Sequence, residues 1–171
     1  MNTGLLILRL VFGLAIAGHG AQKLFGWWGG PGVGGLRQHL TRMRFRPASL
    51  WVAGAIGTEI GGGLLLTLGL LSPLGAVGVG AAMLMAIVSV HWGKGFFGQG
   101  GGFEIPLLYL APAAVLGITG PGSYSLDSLF GIALPEPVTG ILAAALAVAG
   151  VAVAMAGRSP AAEEPSAQLA A

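Results

Sequence analysis

The chain has 171 residues, of which 54% are hydrophobic and only 8% are Asp, Glu, Lys or Arg. This charged fraction is about a third of that of a soluble domain, which excludes an ordinary water-soluble globular protein. Cysteine is absent, which excludes disulfides, thiol redox chemistry, cysteine-held iron–sulfur clusters and covalently attached haem.

Five apolar stretches approach or exceed the roughly 20 helical residues that cross a hydrocarbon core. They lack the alternation of a membrane β-strand, so the predicted fold is all-α. We interpret the first stretch as a span and not a cleaved signal, because Arg9 interrupts it and neither a basic leader nor an A-x-A site is present. The predicted spans are residues 4–24, 50–71, 74–91, 104–120 and 138–157.

Glycine and proline mark the connections between these spans. Residues 29–35 are predicted as a loop, 37–45 as a short interfacial helix and 93–102 as a flexible inner loop. We predict a four-helix membrane core over residues 1–127 and, over 128–157, an outer loop and a fifth membrane helix. The Ala/Glu/Pro/Ser-rich tail, 158–171, is predicted to be disordered.

Lysine and arginine occur in the first and third connections and in the tail, whereas the second and fourth connections contain none. By the positive-inside rule, the basic connections and the tail are cytoplasmic and the amino terminus faces outward. The basic residues therefore indicate topology, and no nucleic-acid partner is expected. Anionic lipid headgroups or an acidic partner are a second use for four of them, Arg37, Arg42, Arg44 and Arg46.

A similar polar cluster closes the first and third spans. His19 and Lys23 precede a glycine-rich aromatic segment, and His91 and Lys94 precede another. Each cluster is followed by a helix with a single carboxylate, Glu59 or Glu104. This repetition favours two parallel helical hairpins, as in some transporters, although glycine-rich segments also match by chance.

The second span is predicted to have two different faces. At 100° per residue, Gly54, Gly57 and Gly61 lie within about 60° of one another, whereas Glu59 points to nearly the opposite side. Small residues allow close helix approach and a carboxylate avoids lipid, so we expect a central helix covered on both sides. The glycine face serves either the protein's own core or a homo-oligomer.

The buried charges allow two pairings of Glu59. Arg9, His19 and Lys23 form one stripe on the first span, and Glu59 enters at a depth between Arg9 and His19. One reading is an ion pair between Arg9 and Glu59. The other is a catalytic pair of His19 and Glu59 that handles protons, since histidine titrates near neutral pH; Asp127 at the outer mouth then neutralises Arg9 in a structural ion pair.

Aromatic and polar residues gather at the predicted inner interface. Trp27 and Trp92 form either an interfacial belt or the walls of a quinone site. The polar residues assigned to that site are Gln22, Lys23, His91 and Glu104. Haem between His19 and His91, or a metal on these residues, is a weaker alternative because no tight ligand spacing supports it.

These residues resemble the DoxX family of small bacterial and archaeal membrane proteins. The resemblance extends from Arg9 to Asp127 and implies a four-helix fold in the cytoplasmic membrane; the family takes its name from a subunit of a thiosulfate:quinone oxidoreductase. The fifth apolar run departs from that pattern. The matching elements are Arg9-Leu10, His19-Gly20-x-Gln22-Lys23-Leu24-Phe25-Gly26, Glu59-x-x-Gly62-Gly63, Gly69-Leu70-x-x-Pro73, Gly95-Phe96-Phe97, Gly101-Gly102-Phe103-Glu104 and Gly120-Pro121-Gly122-x-Tyr124-Ser125-Leu126-Asp127.

The leading hypothesis is a membrane component of a redox system that binds a quinone near the inner leaflet. His19 and Glu59 would manage protons, and electrons would come from a soluble or membrane redox partner, because the sequence contains no redox ligand set. A non-catalytic structural or assembly subunit is one alternative, since buried ion pairs also hold helices together. A small transporter is another, suggested by the two echoing hairpins.

Overall fold

The computed structural model describes residues 2–135 and 137–158, which form seven α-helices, short turns and no strand. Most of the tail predicted to be disordered, residues 159–171, lies outside the described residues. The helices are α1 (Asn2–Phe25), α2 (Gly32–Arg42), α3 (Ala48–Leu68), α4 (Ser72–Ala86), α5 (Glu104–Thr119), α6 (Leu126–Leu129) and α7 (Val138–Ala156).

Within the described residues, four helical segments are long and apolar enough to cross a membrane: α1, α3, α7 and the continuous segment Ser72–Lys94. In that segment, α4 continues through a π-helical turn, Ile87–His91, and a 3₁₀ turn, Trp92–Lys94. The apolar helix α5 is shorter, with 16 residues, or about 24 Å. The prediction of an all-α, multi-pass membrane protein with an extra carboxyl-terminal helix is confirmed.

The helices begin and end near the proline and glycine residues that predicted their boundaries. Pro47 precedes α3, and Gly69 ends it with a left-handed φ of 63°, a conformation that glycine adopts without steric cost. Pro73 occupies the first turn of α4, where its missing N–H costs no helical hydrogen bond. The interfacial helix predicted over 37–45 is α2, which begins five residues earlier, at Gly32.

The helix order places α4 at the centre. α1 packs against α3, α3 against α4, and α4 also against α5 and α7. Because α3 also packs against α2, it shares with α4 the central position that was expected for it alone. The main core forms where α1, α3, α4 and α5 meet, from Phe12, Ile16, Leu66, Ala76, Val79, Met83, Ala113 and Leu116.

Close helix contact uses other glycines than those expected. A Cβ on Gly63 would lie 2.7 Å from the carbonyl oxygen of Gly13, so only glycine allows α1 and α3 to approach this closely. In contrast, Gly54, Gly57 and Gly61 are exposed, and a Cβ on any of them would meet no atom within 4 Å. Glu59, Gly62 and Gly63 lie on the covered face of α3. The face with Gly54, Gly57 and Gly61 points outward.

Contacts at the two ends of the bundle show which connections lie together, and the ends are named outer and inner after the topology predicted from the sequence. Asn2 Nδ2 donates to Ser123 Oγ at 2.8 Å, which joins the amino terminus to the connection after α5. At the opposite end, Arg158 Nε donates to the carbonyl of Met43 at 2.9 Å, and its guanidinium lies 5.1 Å from the centre of the Phe45 ring. The end of α7 and the arginine-rich first connection therefore share one side.

Candidate functional site

Glu59 forms an ion pair with Lys23 at the inner half of the bundle. The glutamate is 2% exposed, whereas the lysine side chain is 28% exposed. Gly20 makes this approach possible, because a Cβ there would lie 2.5 Å from Cγ1 of Ile60. The partner of Glu59 is thus Lys23, and not the Arg9 or His19 considered from the sequence.

The second carboxylate oxygen of Glu59 is the unusual atom of this site. Oε2 is buried and has no hydrogen-bond partner among the described residues. A buried acceptor without a partner is costly, and more so when it carries charge. The arrangement favours a proton or a hydrogen-bond donor beside Oε2.

Glu59 and Lys23 line a cavity of about 410 Å³, within the range of about 300–1,000 Å³ typical of small-molecule sites. The cavity lies between α2, α3, α7 and the segment Ser72–Lys94. Phe45 and Trp51 are its aromatic lining residues. Its other lining residues are Leu36, His39, Leu40, Met43, Gly54, Ala55, Thr58, Ala81, Ala82, Met85, Ala86, Ser89, Val90, His91, Gly150, Val151 and Ala154.

Two histidines line the same cavity. His91 lies at the end of the π-helical turn, a distortion often found at functional sites. Its Nδ1 is 2.6 Å from the carbonyl oxygen of Gly101, and since a carbonyl only accepts, Nδ1 carries the proton and Nε2 of the neutral ring is an acceptor. His39 was missed from the sequence, although it shares one face of α2 with three lining residues, Leu36, Leu40 and Met43.

His19 lies apart from this cavity. Its Nε2 is 3.3 Å from the hydroxyl of Tyr109 on α5, and the two rings meet edge to face with centroids 5.4 Å apart. His19 is not among the cavity's lining residues. The structure therefore does not bring His19 and Glu59 together, and it adds Tyr109, which had no special spacing in the sequence.

The other residues assigned to the quinone site contact the loops at the inner end of the bundle. Glu104 Oε2 accepts a hydrogen bond of 2.8 Å from the backbone N–H of Gly98. Trp92 stacks on Phe103 with ring centroids 5.5 Å apart, and Trp27 stacks on Phe25 at 4.6 Å. The remaining residue, Gln22, packs its backbone and Cβ against Gly30. The cavity is not lined by Gln22, Trp27, Trp92 or Glu104.

Arg9 and Asp127 meet at the outer end of the bundle. The guanidinium of Arg9, 1% exposed, donates to the carbonyl of Tyr124. The carboxylate of Asp127 accepts from the backbone N–H groups of Leu71 at 2.8 Å and Ser72 at 3.3 Å, at the start of α4. The predicted ion pair is not formed, because the charged groups of Arg9 and Asp127 do not lie within 4.0 Å of each other among the described residues. These hydrogen bonds of Arg9 and Asp127 hold the connections at the outer end against the bundle.

Comparison with known families agrees with the sequence resemblance. The family model described as DoxX matches residues 4–92, just over half of the chain. This match includes Lys23, Glu59 and His91, and it ends before α5 and α7. No curated protein and no solved structure matches the chain.

Proposed function

Because the chain belongs to the DoxX family of membrane proteins, we propose that it is a quinone-binding component of a membrane redox system. The observation that carries this proposal is that Glu59 lines an apolar cavity and that its Oε2 has no hydrogen-bond partner in the described part of the chain. A flat ring with a polar oxygen at its edge matches apolar walls combined with a few fixed polar groups. A bound quinone supplies the redox chemistry, by accepting two electrons from a redox partner together with two protons.

The polar groups of the cavity fit both forms of such a ligand. The Lys23 ammonium donates hydrogen bonds, as a quinone carbonyl requires. Glu59 Oε2 and, in a neutral ring, His91 Nε2 accept them, as a quinol hydroxyl requires. In this proposal Glu59 gives a proton to the ring oxygen or takes one from it, with the Lys23 ammonium in contact with the same carboxylate.

The apolar lining residues provide the surface that a ring would contact. Trp51 and Phe45 lie 5.3 Å apart between ring centroids and provide aromatic surface for a ring. Leu36 of α2 and Met43, which follows that helix, add apolar lining. Such a lining limits water around the Lys23–Glu59 pair and strengthens its electrostatic interaction.

The test is equilibrium binding of a quinone to the protein in quinone-free lipid nanodiscs. Trp51 fluorescence, quenched by a nearby quinone, reports the binding in a variant with Phe at the other three tryptophans, Trp27, Trp28 and Trp92. Replacement of Glu59 by Gln should weaken binding about tenfold, since a hydrogen bond to a charged group contributes about 1.5–3 kcal/mol.

Matched substitutions separate the cavity from the rest of the protein. Glu104→Gln is the control for Glu59→Gln, because Glu104 binds the loop backbone. His19→Gln is the control for His91→Gln, because His19 lies outside the cavity. Saturable binding that responds to the two cavity variants and not to the controls supports the proposal. Lack of saturable binding, or equal losses within each pair, would contradict it and favour a structural subunit.

A further inference from the structure

A gap between two membrane helices leads into the cavity. α3 and α7 both pack against α4, but these two described helices share no more than isolated contacts with each other. Residues of both helices nevertheless line the cavity. The cavity is therefore a crevice over α4, bordered by α3 on one side and by α7 on the other.

The borders of this crevice are made of small residues. Gly54 on α3 and Gly150 on α7 are exposed, and a Cβ on either would meet no atom within 4 Å. Ala81, Ala82 and Met85 of α4 line it between them. Between α3 and α7 these residues leave an apolar channel.

Among the described residues, the borders of the crevice on α3 and α7 carry one charged side chain, that of Glu59. Glu59 lies eleven residues into α3, or about 16 Å from its inner end, and Trp51 is only three residues in. An occupant that satisfies the whole crevice combines a hydrogen-bonding head near Oε2 with a long apolar chain.

We infer that the gap between α3 and α7 holds the isoprenoid tail of the ligand, with Gly54 and Gly150 keeping the gap open. This inference rests on the proposed function and names the ligand class more narrowly, as a long-tailed quinone. Burial of each methylene from water is favourable, but within lipid the gain comes from fitted packing and from fixing the head at Glu59. The α7 border lies beyond residues 4–92, so it is a feature of this chain outside the matched region.

The experiment compares a long-tailed quinone with its tail-less headgroup analogue, using Trp51 quenching in nanodiscs. Gly54→Leu and Gly150→Leu place a side chain in the gap. Their matched controls are Gly57→Leu on α3 and Ala149→Leu on α7, both exposed positions that do not line the cavity. The gap variants should bind the long-tailed quinone about tenfold more weakly and the headgroup analogue normally, because a leucine fills the channel and not the space beside Glu59.

Each outcome has one meaning. Equal binding of the long-tailed quinone by gap variants and controls would overturn the tail site while leaving the headgroup site intact. If wild-type protein binds neither compound, the proposed function itself fails. Phospholipids with brominated acyl chains test the gap separately. If Gly54→Leu abolishes their quenching of Trp51 and the long-tailed quinone does not relieve that quenching, a lipid chain occupies the gap. This result would also overturn the tail site.

Discussion

Lys23 binds one carboxylate oxygen of Glu59, and the other oxygen is buried without a partner among the described residues. The pair joins the inner end of α1 to the middle of α3 and also lines the cavity. An ion pair that only holds two helices together requires just the contact between Lys23 and one oxygen of Glu59. The unpartnered oxygen beside a cavity is the feature that distinguishes a binding site from a helix staple, and the two roles respond differently to substitution.

Removal of Lys23 should destabilise the protein more than removal of both charges. Lys23→Met leaves a buried carboxylate without its cation, which should lower the free energy of unfolding by about 2–3 kcal/mol. The double variant Lys23→Met/Glu59→Gln should recover most of that loss, because no uncompensated charge remains. Thermal unfolding in nanodiscs checks this cycle, and a double variant less stable than Lys23→Met would contradict it.

Two nearby glycines of α3, Gly61 and Gly63, should respond to substitution in opposite ways. Gly63→Ala places a Cβ against the backbone of α1 and should cost about 1–3 kcal/mol of stability through overpacking. Gly61→Ala, on the exposed face, should be neutral or stabilise by up to about 1 kcal/mol through helix propensity. The melting temperatures of the two variants provide the comparison. A destabilising Gly61→Ala would mean that the exposed glycine face is covered in the membrane, for example by a second copy.

The helices themselves were predictable because their physical causes are local. Apolar runs near 20 residues, proline at helix starts and glycine at helix ends identify the spans without knowledge of their neighbours. The fifth membrane helix followed from the same rule, although it lies outside the family resemblance. The order of helices around α4 was not predictable, because it depends on which small residues allow close approach.

The site was predicted in part, for a geometric reason. Depth along the helix placed Glu59 between Arg9 and His19, but depth does not specify which helix each side chain faces. Lys23 reaches Glu59 through its long flexible side chain, while His19 turns toward Tyr109. Trp51 and His39 gained their significance only when α2 packed against α3 and α7 bordered the same cavity, an arrangement that the sequence does not indicate.

The carboxylate of Asp127 should anchor the outer end of α4. Asp127→Ala removes the acceptor of two backbone N–H groups and the negative charge near buried Arg9, so stability should fall by about 1–2 kcal/mol or more. Asp127→Asn keeps one acceptor oxygen and should lose less. Thermal unfolding distinguishes them, and an Asp127→Ala protein as stable as wild type would refute the anchoring role.

Arg158 should hold the inner end of α7 against the first connection. Arg158→Ala removes a hydrogen bond to Met43 and a cation–π contact with Phe45, together about 1–2 kcal/mol. Faster hydrogen exchange should appear in the last turns of α7. Arg42→Ala, at an exposed position of α2, is the control; unchanged exchange in both variants would show that α7 is held by its other contacts.

The most direct measurement of the central claim is the infrared difference spectrum of the nanodisc protein with and without a quinone. If the ligand contacts Oε2 of Glu59, the carboxyl band of that side chain shifts on binding. The shift should persist in Glu104→Gln and vanish in Glu59→Gln. A quinone that binds saturably while leaving every carboxyl band unchanged, or a shift that survives in Glu59→Gln, would contradict the assignment.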